Sequence, residues 1–366
     1  MPECPRILIL TAAFGDGHNS AARNLALALE ALGAETRVAD PCLLGAPRLT
    51  RILAQAYRLV TTHLPRVWLW IYRSAERCDF GGDTPFYLHG PENATRAVVE
   101  EFRPQVVVST YPLYPYFLAK MAEGKTDFPP VFVVITDSIE INASWLGAPV
   151  RGCLVTDAAT RDVLIAKGLP AEMIHETGFA VHPDFSKLRP VAADDACDEF
   201  RVLYFPTSDL GGMRLRARAL LDASPRVKLT MVMGRNVRRL YPVARELKSD
   251  YPGRVKLIGW TRKVPQLLNR HHLVVGKAGG ATVHEAIAAC CPMLIHHLVP
   301  GQEEGNLRLL EIIGGGALAS KPEDLRHRVE KLLANDAAAW RAMKHALAAH
   351  GKNAGAITAA KLIIES

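Results

Sequence analysis

A short apolar run at residues 273–275 (LVV) passes into a glycine-rich turn, and a helical pattern begins at Thr282. Short apolar runs of this kind are typical of buried parallel strands. Glycines between a strand and a helix let the backbone approach a ligand, and the helix N-terminus offers unpaired N–H groups at the positive end of its dipole. The turn therefore suits a diphosphate, although its spacing matches neither the P-loop nor the dinucleotide fingerprint.

The same order of strand, turn and helix recurs along the chain, and such alternation predicts βαβ units with parallel sheets. A chain of 366 residues is longer than one typical core supports, which predicts two domains. The polar, acidic residues 191–199 are the candidate linker. Strand-like runs lie at residues 6–11, 106–108, 131–135, 153–155, 201–205, 229–233, 255–258 and 293–295.

Two polar features follow the glycine-rich turn after residues 273–275, and each has two interpretations. Glu285 is placed to accept hydrogen bonds from ribose hydroxyls, but Thr282 and Glu285 also have the spacing of a capping box, which needs no ligand. Residues 300–306 (PGQEEGN) are rich in groups that bind sugar hydroxyls, but they also suit a solvated turn.

A histidine follows the first strand, in the turn at residues 14–18 (FGDGH). The carboxyl end of a parallel sheet is where ligands bind in open α/β folds. His18 has an ordinary pKa near neutrality and suits a general base, which Asp16 would assist or orient. The alternative is that His18 and Asn19 only close the N-terminus of the helix.

The motifs GKAGGATVHEA (276–286) and PGQEEGN (300–306), in that order, closely resemble the donor-sugar site of the monogalactosyl- and glucosyl-diacylglycerol synthases. The G-x-GH turn at 15–18 matches the same family, which is related to the peptidoglycan N-acetylglucosaminyltransferase. The resemblance implies the α/β GT-B fold, with two Rossmann-like parallel-sheet domains facing a cleft. We expect an acceptor and membrane-binding domain at 1–190, a UDP-sugar domain at 200–335, and a C-terminal helix at 336–366 that crosses back to the first domain.

The resemblance also assigns roles to individual residues. Asp137 and Gly17 are expected on the acceptor side, although relatives carry a histidine shortly after the equivalent of Asp137 and this chain does not. Arg235 would neutralise phosphate charge. Trp260 would lie by the uracil or be an ordinary core residue. The remaining donor contacts are expected at Gly279, Gly280 and Thr282 (diphosphate), Glu285 (ribose), and Gln302 and Glu303 (sugar), with Gly211 and Gly212 as further phosphate candidates.

Residues 48–77 combine an apolar stripe with basic and aromatic side chains, as in segments that lie in the headgroup zone of a bilayer. A helix pair facing the core explains the stripe equally well. The net charge of +7 favours an anionic partner, but the carboxylates of PGQEEGN argue against nucleic acid. The residues expected at an anionic membrane surface are Arg51, Arg58, Arg66, Trp68, Trp70 and Arg73.

The resemblance implies transfer of a hexose from UDP-galactose or UDP-glucose to a lipid hydroxyl, most simply that of diacylglycerol. No DxD-type acidic cluster follows a strand, so no metal or other cofactor is expected. The seven cysteines show neither zinc-type nor disulfide-type spacing, and no signal sequence or spanning segment is predicted. A cytoplasmic protein, peripheral on the inner face of the cell membrane, is therefore expected. The alternatives are a UDP-sugar epimerase and a UDP-GlcNAc transferase to another lipid-linked acceptor.

Overall fold

A computed structural model describes residues 4–75, 82–195, 197–207, 209–301, 303–351 and 353–366, and for Asp16, Thr62, His63, Pro65 and Ala75 it describes the main chain alone. The strands are β1 (Arg6–Leu10), β2 (Glu35–Ala39), β3 (Val106–Ser109), β4 (Val131–Val134), β5 (Gly152–Val155), β6 (Ile174–Glu176), β7 (Phe200–Tyr204), β8 (Val227–Val232), β9 (Val255–Ile258), β10 (Leu273–Lys277), β11 (Met293–His297) and β12 (Gly316–Leu318).

Helices connect these strands, as the alternating pattern predicted. They are α1 (Asp16–Ala31), α2 (Pro41–Gly45), α3 (Pro47–His63), α4 (Pro65–Ala75), α5 (His89–Phe102), α6 (Tyr114–Ala122), α7 (Ala158–Ala166), α8 (Leu210–Asp222), α9 (Val237–Asp250), α10 (Val264–Arg270), α11 (Gly280–Ala288), α12 (Glu304–Ile313), α13 (Pro322–His350) and α14 (Gly355–Glu365). Helix α13 is kinked at residues 334–337.

The strands form two parallel six-stranded sheets, in the orders β2-β1-β3-β4-β5-β6 and β12-β11-β10-β7-β8-β9. The central strands β1 and β10 are buried on both faces, which is why they read as continuous apolar runs. In each sheet the chain first builds outward to one side of a central strand and then returns to its other side. This reversal lies between β1 and β3 in the first sheet and between β7 and β10 in the second.

The chain divides into two compact units, each of which contains one sheet. The first unit comprises residues 1–183, 299–306 and 354–366, and the second comprises 184–298 and 307–353. The first stretch of the first unit ends at Pro183, whereas the sequence predicted a boundary at residue 190, and the candidate linker 191–199 belongs to the second unit. Of the C-terminal stretch 336–366, only residues 354–366 belong to the first unit, in which α14 packs on α1.

The length and hydropathy of the helices decide whether any of them could cross a membrane. Within the residues that the structure describes, no helix combines the length and the apolar character needed to span a bilayer.

Candidate functional site

A cavity of about 460 Å³ lies in the first unit, where the loops after β1 and β3 meet. Ligands bind at such reversal points in open α/β sheets, outside the carboxyl ends of the strands. His18, in the first turn of α1, and Tyr111, just after β3, both line the cavity. His18 therefore lies at the edge of the sheet where the sequence placed it.

Helices α3 and α4 form part of the wall of this cavity. Trp68 packs edge-on against Tyr57, with 4.9 Å between ring centroids, and so closes one side. The alternative that the apolar stripe of residues 48–77 faces the core is wrong at two of its positions, because Ile52 and Leu53 are 62% and 46% exposed. The apolar side chains of the two helices that line the cavity are Leu49, Leu53, Tyr57, Trp68, Ile71 and Tyr72.

The hydrogen bonds of His18 determine which of its ring nitrogens carries the proton. Nδ1 lies 2.7 Å from the carbonyl oxygen of Thr110 and 2.9 Å from Oγ1 of Thr136. A carbonyl only accepts, so Nδ1 must donate, and this leaves Nε2 with an unshared electron pair. Burial lowers the pKa of His18 to about 4, although the bond to Thr110 opposes the shift. His18 is therefore a neutral imidazole at pH 7, and Nε2 is its acceptor atom.

Asp137 also lines the cavity and follows β4. Its Oδ2 accepts a hydrogen bond from Nε1 of Trp145 at 3.0 Å. Burial raises the pKa of Asp137 to about 6, the Trp145 bond opposes this shift, and the negative charge of Glu303 adds to it. Trp145 contacts His18 as well, with 6.1 Å between ring centroids. The structure thus brings the predicted acceptor-side residues His18 and Asp137 to the same cavity.

The loop expected to bind the donor sugar, residues 299–306, packs with the first unit and not with the second. Glu303 is buried, and its Oε2 accepts a hydrogen bond from the Val299 N–H at 3.0 Å. A Cβ on Gly305 would collide with the carbonyl of Ser138, so only glycine allows this approach. Gln302 lies outside the described residues, as do the side chain of Asp16 and any contact that it makes. Gly17 lies in the first turn of α1.

In the second unit, the glycine-rich turn that follows β10 lies at the reversal point between β7 and β10. Helix α11 begins at Gly280 with Gly279 as its N-cap, two residues before the predicted start. The capping-box alternative is therefore wrong, because Thr282 lies inside the helix and does not cap it. The N-terminal N–H groups of α11 have no side-chain cap, as an anion site requires.

Glu285 lies in the second turn of α11 and is half-buried. Burial is the cause that raises its pKa to about 7. No described side chain donates a hydrogen bond to its carboxylate or forms an ion pair with it. A half-buried carboxylate without a partner is costly, which is typical of a group retained to bind a ligand.

Two other predicted donor contacts are at the surface of the second unit. Arg235 is exposed, in a short 3₁₀ turn directly after β8. Trp260 is 55% exposed, and the guanidinium of Arg262 lies 5.5 Å from its ring centroid. The alternative that Trp260 is a core residue is therefore wrong.

The helix pair α3 and α4 also presents a basic and apolar surface. Trp70 is 71% exposed and Leu59 is 60% exposed, while Trp68 is partly buried and faces the cavity. The four arginines predicted at this surface, Arg51, Arg58, Arg66 and Arg73, are all exposed.

Sequence reasoning did not identify Thr110, Thr136 and Trp145, the groups that hold His18 and Asp137 in place. Thr110 acts through its carbonyl oxygen, which any residue type would supply, so the sequence carries no signal for it. Thr136 and Trp145 lie close to Asp137 in the sequence, but only the structure shows that they contact His18 and Asp137.

Comparison with known proteins identifies one similar family and several similar proteins. Residues 18–181 match the family model of monogalactosyldiacylglycerol (MGDG) synthase. A processive diacylglycerol beta-glucosyltransferase of Bacillus mycoides (strain KBAB4) is 24% identical over 344 residues, which cover 92% of this chain and 87% of the relative.

Two solved structures extend the comparison. MurG of Acinetobacter baumannii matches with a TM-score of 0.63 at 15% identity, over 99% of this chain and 100% of that one. UDP-GlcNAc 2-epimerase of Neisseria meningitidis, bound to UDP-GlcNAc, matches with a TM-score of 0.61 at 12% identity, over 98% of each chain.

The two parallel six-stranded sheets and these structural matches define a protein of the GT-B fold, which confirms the predicted fold class. The predicted resemblance is confirmed as well. The chain is a glycosyltransferase of the GT-B fold, and its sequence is similar to those of the monogalactosyl- and glucosyl-diacylglycerol synthases.

Proposed function

We propose that the chain transfers a hexose from UDP-glucose or UDP-galactose to the free hydroxyl of diacylglycerol. The observation that carries this proposal is the cavity of the first unit, which has apolar and aromatic walls and the groups His18 and Asp137 in its lining. An acyl-bearing acceptor gains from apolar walls, about 0.8 kcal/mol for each buried CH₂. Its single hydroxyl needs a proton acceptor, which the same cavity provides.

The proposed reaction is a direct displacement. The acceptor oxygen loses its proton to a base of the cavity and forms a bond to the anomeric carbon of the sugar, while the bond from that carbon to the diphosphate breaks and UDP leaves. The uncapped N-terminus of α11 would stabilise the negative charge that grows on the leaving diphosphate. We propose that no metal ion is needed, which an assay in the presence of EDTA would test.

The relatives support a transferase over the alternative of a UDP-sugar epimerase. The epimerase matches in fold at 12% identity, whereas the diacylglycerol glucosyltransferase matches in sequence along 92% of the chain. An epimerase also has no use for apolar cavity walls, because both its substrate and its product are water-soluble nucleotide sugars.

The activity is tested with purified protein, dioleoylglycerol in vesicles, and UDP-glucose, UDP-galactose or UDP-GlcNAc. Mass spectrometry of the extracted lipid should show a gain of one or more hexoses with one of the first two donors. Transfer of N-acetylglucosamine would favour the lipid-linked alternative. Conversion of UDP-GlcNAc without any lipid product would favour the epimerase.

The pH profile should identify which cavity group accepts the proton. A base works only when it is unprotonated, so kcat/KM falls as the pH drops through the pKa of that base. If His18 is the base, kcat/KM should stay level from pH 8 to about pH 5, because the pKa of His18 is about 4. If Asp137 is the base, kcat/KM should fall as the pH drops through about 6. We expect the first profile, and a midpoint near 6 that disappears in Asp137→Asn would contradict it.

The exposed surface of α3 and α4 should bind anionic membranes. Each arginine near such a surface contributes about 1 kcal/mol, so the four together decide docking. We expect the protein to pellet with vesicles that contain phosphatidylglycerol, less with neutral vesicles and less at high salt. Replacing Arg51, Arg58, Arg66 and Arg73 with Gln, and Trp70 with Ser, should abolish pelleting and leave UDP binding unchanged.

Trp68 is retained in that variant because it forms part of the cavity. The matched control removes the same number of positive charges from the second unit. It replaces four exposed arginines with Gln, namely Arg238, Arg239, Arg245 and Arg328. Equal loss of pelleting in both variants would show that net charge alone, and not this surface, causes binding.

A further inference from the structure

A tight turn at residues 138–140 lies just after β4 in the first unit. The Glu140 N–H donates a hydrogen bond to the Ser138 carbonyl at 2.6 Å, which closes a three-residue γ-turn. Its central residue, Ile139, is buried and has a φ of 61°. A positive φ at a β-branched residue is an outlier, and such strain persists only where the surrounding contacts impose it. The turn is therefore held by its neighbours and not by the preference of its own sequence.

On one side, the turn is held by a network of buried hydroxyls around Asp157. The Ile139 N–H donates to Oγ1 of Thr160 at 3.1 Å. The Ser138 hydroxyl lies 3.1 Å from that of Thr156. Both threonine hydroxyls donate to Oδ2 of Asp157, at 3.0 Å from Thr160 and 2.5 Å from Thr156. Each hydroxyl has a single proton, so its oxygen can then only accept from the turn.

The network is anchored at the start of a helix. Asp157 is the N-cap of α7, and its Oδ1 accepts the Thr160 N–H at 2.8 Å. Thr156, Asp157 and Thr160 are each at most 2% exposed, so water does not replace these bonds. The position of the turn is thus tied to the N-terminus of α7.

On its other side, the turn packs against the segment 299–306. A Cβ on Gly305 would collide with the Ser138 carbonyl and with the Glu140 N–H. The same segment carries Glu303, whose negative charge acts on Asp137. A displaced turn would therefore disturb this segment as well as the residues that precede the turn.

The residues directly before the turn are the ones that reach the cavity. Oγ1 of Thr136 lies 2.9 Å from Nδ1 of His18. Asp137 lines the cavity and accepts a hydrogen bond from Nε1 of Trp145. Because the turn begins at the next residue, it fixes the backbone from which both side chains extend.

We propose that Thr160 and Thr156, held by Asp157, are positioning residues for the transfer reaction. They hold the γ-turn at 138–140 and so set Thr136 and Asp137 against the cavity, although neither threonine of the network lines the cavity itself. The inference rests on the proposed function, because it assumes that this cavity holds the reacting groups.

Thr160→Val removes the hydroxyl and keeps the shape of the side chain. The Ile139 N–H then loses its acceptor, so the turn should shift. We expect kcat to fall by about 10- to 100-fold, since a small misplacement of reacting groups has effects of that size. KM for diacylglycerol should hardly change, because the apolar walls that bind the acceptor are untouched. Thr160→Ser keeps the hydroxyl and should restore most of the lost turnover.

A second measurement does not depend on activity. The indole Nε1–H of Trp145 donates to Asp137, so its NMR signal reports where that carboxylate lies. Loss of the signal in Trp145→Phe identifies it. We expect the signal to move in Thr160→Val and to keep its place in Thr160→Ser.

The matched control is Thr230→Val, which removes another buried threonine hydroxyl, 2.9 Å from Nε2 of His271 in the second unit. It should lower the melting temperature without a change in the Trp145 signal or in kcat. Where Thr160→Val fails to fold, Thr156→Val removes the other bond to the turn and should move the same signal.

Three results would overturn the inference. One is a Trp145 signal that stays in place in a folded Thr160→Val or, where that variant does not fold, in Thr156→Val. Another is a fall in kcat no larger than that of Thr230→Val, and the third is an equal loss of turnover in Thr160→Ser. A parent protein that transfers no hexose overturns the proposed function instead, and the Trp145 signal still tests the positioning of Asp137.

Discussion

His18→Asn is expected to lower turnover by about 10²- to 10⁴-fold, the range for removal of a general base. The side-chain amide of asparagine can still donate to the Thr110 carbonyl, where Nδ1 of His18 donates now. What the variant lacks is Nε2, the atom with the unshared electron pair. Initial rates over a range of UDP-sugar and diacylglycerol concentrations would measure the effect.

His18→Asn is informative because it should lower turnover without changing UDP affinity. UDP affinity by calorimetry should hardly change, because the donor contacts are expected on the second unit and His18 belongs to the first. His89→Gln is the control, since His89 is exposed and its ring Nε2 lies 2.9 Å from the carbonyl oxygen of Thr84. Loss of UDP affinity and turnover together, with a lower melting temperature, would show that His18 is structural.

Glu285→Gln is expected to weaken UDP binding by about 1.5–3 kcal/mol, which is about 10- to 150-fold. The carboxylate is half-buried without a described partner, so its hydrogen-bonding capacity is available to ribose hydroxyls. An amide of the same shape keeps one acceptor but loses the charge. Calorimetry at pH 8 measures the effect, because Glu285 is then mostly ionised.

The thermal stability of Glu285→Gln should rise, whereas its affinity for UDP should fall. The folded pKa of Glu285 lies above its unfolded value, so the group lowers stability as the pH rises from about 4.5 through about 7. Removing the carboxylate should therefore raise the melting temperature more at pH 8 than at pH 5. Glu311→Gln is the control, at an exposed position of the second unit. A lower melting temperature with unchanged UDP affinity would contradict the binding role.

The sequence predicted the central strands and the edge strand β9, but it did not predict the edge strands β2, β6 and β12. Strand β2 (ETRVA) is partly exposed and pairs on one side only, so it has no continuous apolar run. Strands β6 and β12 are three residues long. Strand β6 is an edge of the first sheet, and β12 is an edge of the second sheet. Edge strands have a weak hydrophobic pattern in the sequence because one side faces solvent. Their formation depends on pairing with the neighbouring strand of the sheet.

The positions of candidate site residues in the fold were predictable where glycines and charged groups follow a strand, as at His18 and Glu285. It was not predictable where function depends on packing between distant segments. The apolar positions of α3 read equally as core, since periodicity shows which residues share a face but not what that face meets. The position of Glu303 with the first unit depends on the contact between Gly305 and Ser138, 167 residues apart, which no local pattern encodes.

The division of the chain also limits how this enzyme can be cut or recombined. The first unit is assembled from three separate stretches, so a fragment that ends at residue 183 would lack α14, which packs on α1, and the loop that carries Glu303. Exchange of acceptor preference with a relative by swapping one contiguous N-terminal half would leave mismatched partners at both places. A working chimera must transfer all three stretches together, because the first unit is discontinuous in the sequence.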